Sequence, residues 1–328
     1  MPTPGGPYSG IWNLKNLSKY IQDNAWPEIL ILSGDIALFG GGSGNSIEYV
    51  QITTTGNAAD FGDLNSLDFT IGCASSTRGL FCGDNSSGAA GPYTNVIDYV
   101  PNILVGSNAV DFGDATSGHN QGAGGNSSTR GIFACGVSGT NPSAAIVNII
   151  DYVTMATTGN ATDFGDATQT LWRSPASACS GTRMCIAGGA INGSNTETNV
   201  IEFITTATTG NATDFGDLTV ARRGVGGNNA SSGTRGVFGG GYPTTNVIDY
   251  ITIASTGNAT DFGDLTVARN GASSTSNATR ALWAGGAGNN VIDYVTIAST
   301  GNALDFGDLL SSAGYTRGTA SNANGGLQ

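Results

Sequence analysis

The tetrapeptide Asp-Phe-Gly-Asp occurs six times, starting at Asp60, Asp111, Asp163, Asp214, Asp261 and Asp305, at intervals of 51, 52, 51, 47 and 44 residues. A near-constant period in this range is the signature of a solenoid, a propeller or an array. It constrains the fold more than any single residue, because one such unit cannot bury its apolar face alone and must stack on its neighbours. The copies fill almost everything after residue 35 of the 328. A length that would allow two domains therefore reads as an N-terminal segment, residues 1–28, and one repeat domain, residues 29–328.

The fifth copy, Arg222 to Leu265, divides into four strand-like pieces. "RRGVGGNNAS" is small and Gly-rich, and "TRGVFGGG" is short and apolar. "NVIDYITIA" alternates, with Val247, Asp249, Ile251 and Ile253 on one side and Ile248, Tyr250 and Thr252 on the other. Its β-branched and aromatic residues suit a strand, and "ATDFGDLTVA" is the fourth piece. Clusters of Ser, Thr, Asn and Gly separate the pieces as turns require. Four short strands in a period of this size match one blade of a β-propeller. The small first strand suits the crowded centre where blades converge. A β-solenoid is the competing architecture, but its coils are shorter and need caps.

"TRGVFGGG" followed by "NVIDY" resembles the kelch repeat, in which apolar residues lead into a Gly-Gly pair, then a tyrosine, an aromatic and an arginine. Gly239-Gly240, Tyr250, Phe262 and Arg269 fill those places, and the resemblance covers about residues 35–328. The second aromatic departs from the kelch pattern in being Phe, and it lies farther from the tyrosine. The resemblance implies an all-β fold, a six-bladed kelch-like β-propeller, here preceded by a short helical segment. The phrase "TTGNATDFGDLT", Thr208–Thr219, is similar to glycine-rich kelch-like proteins of marine tailed bacteriophages. "GIWNLKNLSKYIQDNAWPE", Gly10–Glu28, resembles a Trp-Leu…Trp-Pro segment of phage structural proteins. These resemblances imply a non-enzymatic virion component, of tail-fibre or decoration type, made in the host cytoplasm. They imply host attachment through a propeller face, with a host-surface glycan or protein as partner. A free lectin or a glycan-active enzyme on the same scaffold is the alternative.

Within the N-terminal segment, Leu14, Leu17 and Ile21 form an apolar stripe at helical spacing. Asn13 is placed to cap it and Pro27 to stop it, so a helix is expected over residues 13–24. It reads as an attachment element towards other virion proteins, or as a helix packed on its own propeller. It carries both lysines, Lys15 and Lys19; the other ten basic residues are arginines. With a net charge of −12 and no basic stripe, nucleic-acid binding is not expected. No apolar run is long enough to cross a bilayer, and "MPTPGGPYSG" lacks the basic and apolar regions of a signal peptide.

Residues written into every copy are most simply residues that build it. Asp60, Phe61 and Asp63, with Asp111, Phe112, Asp163, Phe164, Asp214, Phe215, Asp261, Phe262, Asp305 and Phe306, are assigned this structural role. An asparagine precedes each motif by three residues: Asn57, Asn108, Asn160, Asn211, Asn258 and Asn302. Asn and Asp close turns on nearby backbone, so these side chains are expected to bond within their own blade, with each Phe between sheets. An acid recurs at Glu48, Asp98, Asp151, Glu202, Asp249 and Asp293, and an arginine follows threonine at Arg78, Arg130, Arg183, Arg235 and Arg280. Acid and arginine are expected to pair. The first copy has Asp35 in place of that arginine.

The Asp-Phe-Gly triplet lacks the Gly-rich loop, lysine and catalytic loop of a kinase. As a calcium loop the phrase lacks the alternating acids of an EF-hand. No metal and no cofactor is therefore expected. His119, the only histidine, lies in "SGHNQGAGG" and reads as an exposed bystander, so no catalytic set assembles. Of Cys73, Cys82, Cys135, Cys179 and Cys185, Cys82 aligns with Ala134, Ala187 and Gly239 and reads as a small buried hydrophobe. A bridge from Cys73 to Cys82 on neighbouring strands stays open.

Variation marks the binding candidates. The loop between the second and third strands reads "DNSSGAAGPYT", "VSGTNPSAAIV", "AINGSNTET" and "GYPTT" in successive copies. In a four-stranded blade this loop shares a face with the connections between blades, and loops on a rigid scaffold carry binding. Tyr93, Asn141, Asn195 and Tyr242 are the candidate ligand-binding residues. Finally, the first copy lacks a Gly-rich inner strand, whereas the C-terminus has a spare one, "RGTASNANGG" at Arg317–Gly326. This tail is expected to pair with the first copy, with "EILILSG", Glu28–Gly34, as the other donor.

Overall fold

The computed structural model describes residues 30–42, 44–65, 70–85, 92–139, 143–191, 195–226, 229–313 and 317–323. The segment 1–28 with its expected helix, and Asn141, lie outside them. Among the described residues every regular element is a β-strand and none is a helix. All the sheets belong to one compact unit that begins at Ile31.

Each copy forms one antiparallel sheet. Sheet 1 contains Gly318–Ser321, Ile36–Gly40, Ser46–Gln51 and Ala59–Asp63 in that order. Sheet 2 runs Ile71–Ala74, Gly79–Asn85, Tyr93–Val100, Val110–Asp114, and sheet 3 runs Ala123–Asn126, Arg130–Ser138, Ala145–Thr154, Thr162–Asp166. Sheet 4 is Ala176–Cys179, Arg183–Ala187, Val200–Thr205, Thr213–Asp217, and sheet 6 is Ser273–Ser276, Arg280–Ala284, Asn289–Thr296, Leu304–Ala313. Sheet 5 has three strands, Arg235–Gly239, Val247–Thr252 and Thr260–Asp264. The innermost piece of the fifth copy, expected as a strand, contributes two isolated bridges among the described residues, Arg223 to Tyr242 and Ser231 to Gly236. The C-terminal tail is the strand beside Ile36–Gly40, with Ala37 opposite Ser321 and Gly40 opposite Gly318.

The apolar residues fill six cores, each built from two successive sheets. The remaining one joins Phe306 and Leu282 of sheet 6 to Phe39 and Val50 of sheet 1. The second strands are buried along their length, as in Ile36–Gly40 and the apolar part of Arg280–Ala284, because a neighbouring sheet covers each face. The third strands keep their alternation, with both faces covered: Ile248 and Tyr250 pack into the core between sheets 5 and 6, and Ile251 and Ile253 into the core between sheets 4 and 5. The register against the outer strand shifts at Ile248/Asp249, where Phe262 is the extra residue of the outer strand. The first strands meet at the centre, where only small residues fit: a Cβ on Gly124 would lie 2.1 Å from the Gly72 carbonyl oxygen. A polar pocket between them, lined by Asn126, Asn229, Thr275 and Ser321 among others, measures about 10 Å³. That is room for about one water.

The repeated phrase joins one sheet to the next. Each outer strand has an edge that would otherwise lie unpaired, a liability in any sheet. The Gly-Asn-Ala of the following copy, Ser107-Asn108-Ala109 in the second, covers it. Gly257 N donates to Phe215 O, Asn258 Oδ1 accepts from Asp217 N, and Ala259 N donates to Asp217 O, at 2.8, 3.1 and 2.7 Å. The same asparagine bond occurs at Asn108, Asn160, Asn211, Asn302 and Asn57. These side chains thus bond to the neighbouring sheet, where the sequence suggested their own. The approach is close enough to exclude a side chain: a Cβ on Gly263, whose φ is +147°, would lie 2.4 Å from Gly301 O.

The Phe of each motif is buried, at 2–4% exposure, and meets the ring of the third strand edge-on, as in Tyr250–Phe262 at 5.9 Å. Arginines 78, 130, 183, 235 and 280 do not pair with the recurrent acid as expected. Each lies over that ring at 4.4 to 5.4 Å and donates to a carbonyl of the next sheet, Arg280 to Ile52 O for example. Where Asp35 replaces the arginine, Leu32 N donates to Leu104 O instead.

Candidate functional site

The recurrent acids are buried and tie each connection between sheets to the following sheet. Thr116, Thr168, Thr219 and Thr266 donate backbone and hydroxyl hydrogens to Asp151, Glu202, Asp249 and Asp293. Asn65 donates to Asp98, and Leu310 and Ser311 to Glu48. Three residues past the threonine stands a basic partner in three cases. Arg222 meets Asp249 at 3.0 Å, Arg269 meets Asp293 at 2.6 Å, and His119 meets Asp151 at 3.0 Å. Arg317 serves Glu48 at 2.7 Å. His119 is therefore no exposed bystander. It is fully buried, with Nδ1 on Cys135 O at 2.8 Å, and it occupies the place an arginine takes elsewhere. In the fourth sheet that place is Leu171.

The fourth copy also departs from the others at its surface. Its connection, "ATQTLWRSPAS", contributes Leu171–Trp172 to a small extra sheet completed by Ala190–Ile191 and Thr196–Glu197. Arg173 and Ser174 both adopt left-handed backbone, φ 59° and 54°. Consecutive non-glycine residues there carry strain. They are held by Gly224 N on Arg173 O, Val225 N on Ser174 O, and Ser174 N on Gln121 O, at 2.7, 3.1 and 2.9 Å.

These contacts bring a polar and aromatic cluster together on the loop face of sheets 4 and 5. The Arg173 guanidinium lies 4.2 Å from the Trp172 ring centre. Arg223 lies 4.2 Å from the Tyr242 ring and donates to Glu197 Oε1 at 2.7 Å and to Asn195 O at 2.8 Å. Arg223 and Tyr242 also exchange backbone bonds. Tyr242 is 43% exposed and Asn195 is exposed. Trp172, Arg173, Glu197 and Arg223 are half-buried. Planar donors and acceptors at fixed positions beside aromatic rings suit a ligand with adjacent hydroxyls and an apolar face.

Of the sequence candidates, Asn195 and Tyr242 come together through Arg223. Tyr93 stands apart, paired with Gly139 between sheets 2 and 3. Glu197 shares the varying loop 190–198 with Asn195, whereas Trp172, Arg173 and Arg223 are not marked by loop variation. The signal that points to Trp172 and Arg173 is the break in the "DLTVAR" pattern at residues 168–174. Among the described residues no three His, Cys, Asp or Glu side chains gather as metal ligands. The five cysteines are buried and free; Cys73 faces Leu80 and Cys82 faces Ile71, so the open bridge does not form.

No family model matches this sequence, and the curated proteins contain no similar sequence.

Proposed function

We propose that this chain is a closed six-bladed, kelch-like β-propeller that binds a surface glycan through its loop face without catalysing a reaction. Its setting in this reading is the virion of a tailed phage, as a tail-fibre or decoration protein. The closed architecture is supported by the link between sheets 6 and 1, which repeats the links between the other sheets: a shared core, Asn57 on Asp308, and Arg280 on Ile52 O. The pocket between the first strands is too small for a ligand larger than about one water. The observation that carries the binding reading is the cluster of Trp172, Arg173, Asn195, Glu197, Arg223 and Tyr242. It lies where the chain breaks its own repeat, and strained backbone concentrates at functional places.

A saccharide fits this chemistry. Its C–H face packs on an exposed ring such as Tyr242, and its hydroxyl pairs meet amide, carboxylate and guanidinium groups. The only carboxylate in the cluster is paired with Arg223, which supports binding over acid–base work. The virion setting rests on the phage-like phrasing of the repeat and of Gly10–Glu28. Two measurements test the reading. A glycan array probed with the purified chain is expected to give a small set of hits that Tyr242→Ala removes. Mass spectrometry of purified particles is expected to find the chain in the virion; binding without presence in particles would favour a free lectin.

A further inference from the structure

The six recurrent acids allow an internal comparison. Four of them, Glu48, Asp151, Asp249 and Asp293, have a buried basic partner, an arginine or His119, at 2.6 to 3.0 Å. Glu202 is equally buried, at 1% exposure, yet Leu171 stands where the cation would be. Among the described residues no cation lies within ion-pairing distance of it. Its Oε2 accepts both hydrogens of Thr168, and its Oε1 is buried with no hydrogen-bond partner. The strands set Ile186 and Asp214 beside it. The ionisable groups that face it are Asp214 and, across the seam between sheets 3 and 4, the Cys135 thiol. Neither offers a positive charge. A carboxylate here would leave a charged oxygen unpaired, which a buried site does not tolerate cheaply.

We propose that Glu202 is a proton-binding switch in this seam. Neutral, it seats the connection from Thr168 to Ser174 that carries Trp172 and Arg173. Ionised, it places charge on the unpartnered Oε1, and the connection loosens. Burial raises its proton affinity above that of an ordinary glutamate; the Thr168 bonds oppose this in part, and Asp214 adds to it. A carboxyl raised in the folded state contributes stability that is complete below its unfolded value, about 4.3, and is lost as pH rises through the folded value. Mild acid therefore firms the seam. The effect on stability stands on the geometry of Glu202 alone; an effect on glycan binding rests also on the loop-face reading.

The test is a pH titration of the full chain and of Glu202→Gln. The chain has four glutamates, Glu28, Glu48, Glu197 and Glu202, so glutamate-selective carbon-13 labelling resolves their carboxyl signals. One signal is expected to titrate above the ordinary glutamate range and to be missing in Glu202→Gln. The unfolding temperature of Glu202→Gln is expected to match the parent in acid and to exceed it increasingly as pH rises. Four signals titrating in the ordinary range, or parallel unfolding profiles, would overturn the proposal. The labelled parent alone decides it if the variant does not fold. In the glycan assay, parent binding is expected to weaken towards higher pH while Glu202→Gln holds its affinity. A parent that binds no glycan at any pH defeats the function reading, and the carboxyl titration then decides the role of Glu202 by itself.

Discussion

Asn57 accepts a hydrogen bond from the backbone amide of Asp308, 251 residues away, at 3.1 Å. The same bond joins Asn258 to Asp217 and Asn302 to Asp264 at the same length. The link between the last copy and the first is therefore chemically the link between any two neighbours. If the copies act as equal joints, Asn57→Ala, Asn258→Ala and Asn302→Ala should each cost about 0.5–1.5 kcal/mol. Equilibrium denaturation checks this; a negligible loss at Asn57 beside a full loss at the others would show that the sixth joint contributes nothing.

The glycine of the motif gives a sharper contrast. Gly263 and Gly301 both have φ near +150°, but only Gly263 would press a Cβ against backbone, while Gly301 faces open space. Both alanine variants carry the backbone strain of roughly 1–3 kcal/mol. Gly263→Ala should lose more than Gly301→Ala, since it must also push the next sheet away. Equal losses would remove the close approach as the reason for the glycine.

Arg269 and Asp293 form a fully buried pair. Removing one partner as Arg269→Met or Asp293→Leu should cost about 3–5 kcal/mol by leaving a buried charge alone, whereas the double change should recover much of it. A double-mutant cycle by calorimetry or denaturant measures the recovery. Simple additivity would mean that the two charges do not sense each other.

Acid should act on a different seam from the one Glu202 controls. Burial opposes the charge on Asp151, yet the hydrogen bond and charge of His119 outweigh it and hold the carboxyl below the ordinary aspartate range. A lowered carboxyl gives stability that is present above the unfolded value, about 3.9, and is lost as pH falls through the folded value. His119→Gln should flatten this acid limb. An unchanged limb would separate Asp151 from its partner.

The sheets are readable in the sequence because their cause is local and repeated. Alternation in "NVIDYITIA", turn clusters and a constant period are properties of short windows, and the spare strand at Gly318–Ser321 is visible as a strand without a copy. The direction of the repeated bonds is not readable. Asn258 reaches Asp217 in the preceding copy, and no local pattern tells a turn-closing asparagine from one that reaches a neighbouring sheet. His119 misleads for the same reason: its Gly- and Ser-rich surroundings look exposed, but they pass over the buried Asp151. The candidate site is half readable. Tyr242 and Asn195 lie in loops that vary, whereas Arg223 and Trp172 lie in connections whose meeting depends on how sheet 4 faces sheet 5.

In the proposed reading, repeated residues build this protein and the irregular loops of sheets 4 and 5 bind; quantitative glycan binding by two sets of variants separates these roles. Asp261 and Asp305 are exposed, so Asp261→Asn with Asp305→Asn tests a repeated site on the outer strands, and Tyr242→Ala tests the cluster. The expected result is a loss of roughly tenfold or more, about 1.4 kcal/mol, for Tyr242→Ala, with binding intact in the aspartate variant. Binding lost with the aspartates and unchanged in Tyr242→Ala would contradict this division and make the repeated phrase itself the binding site.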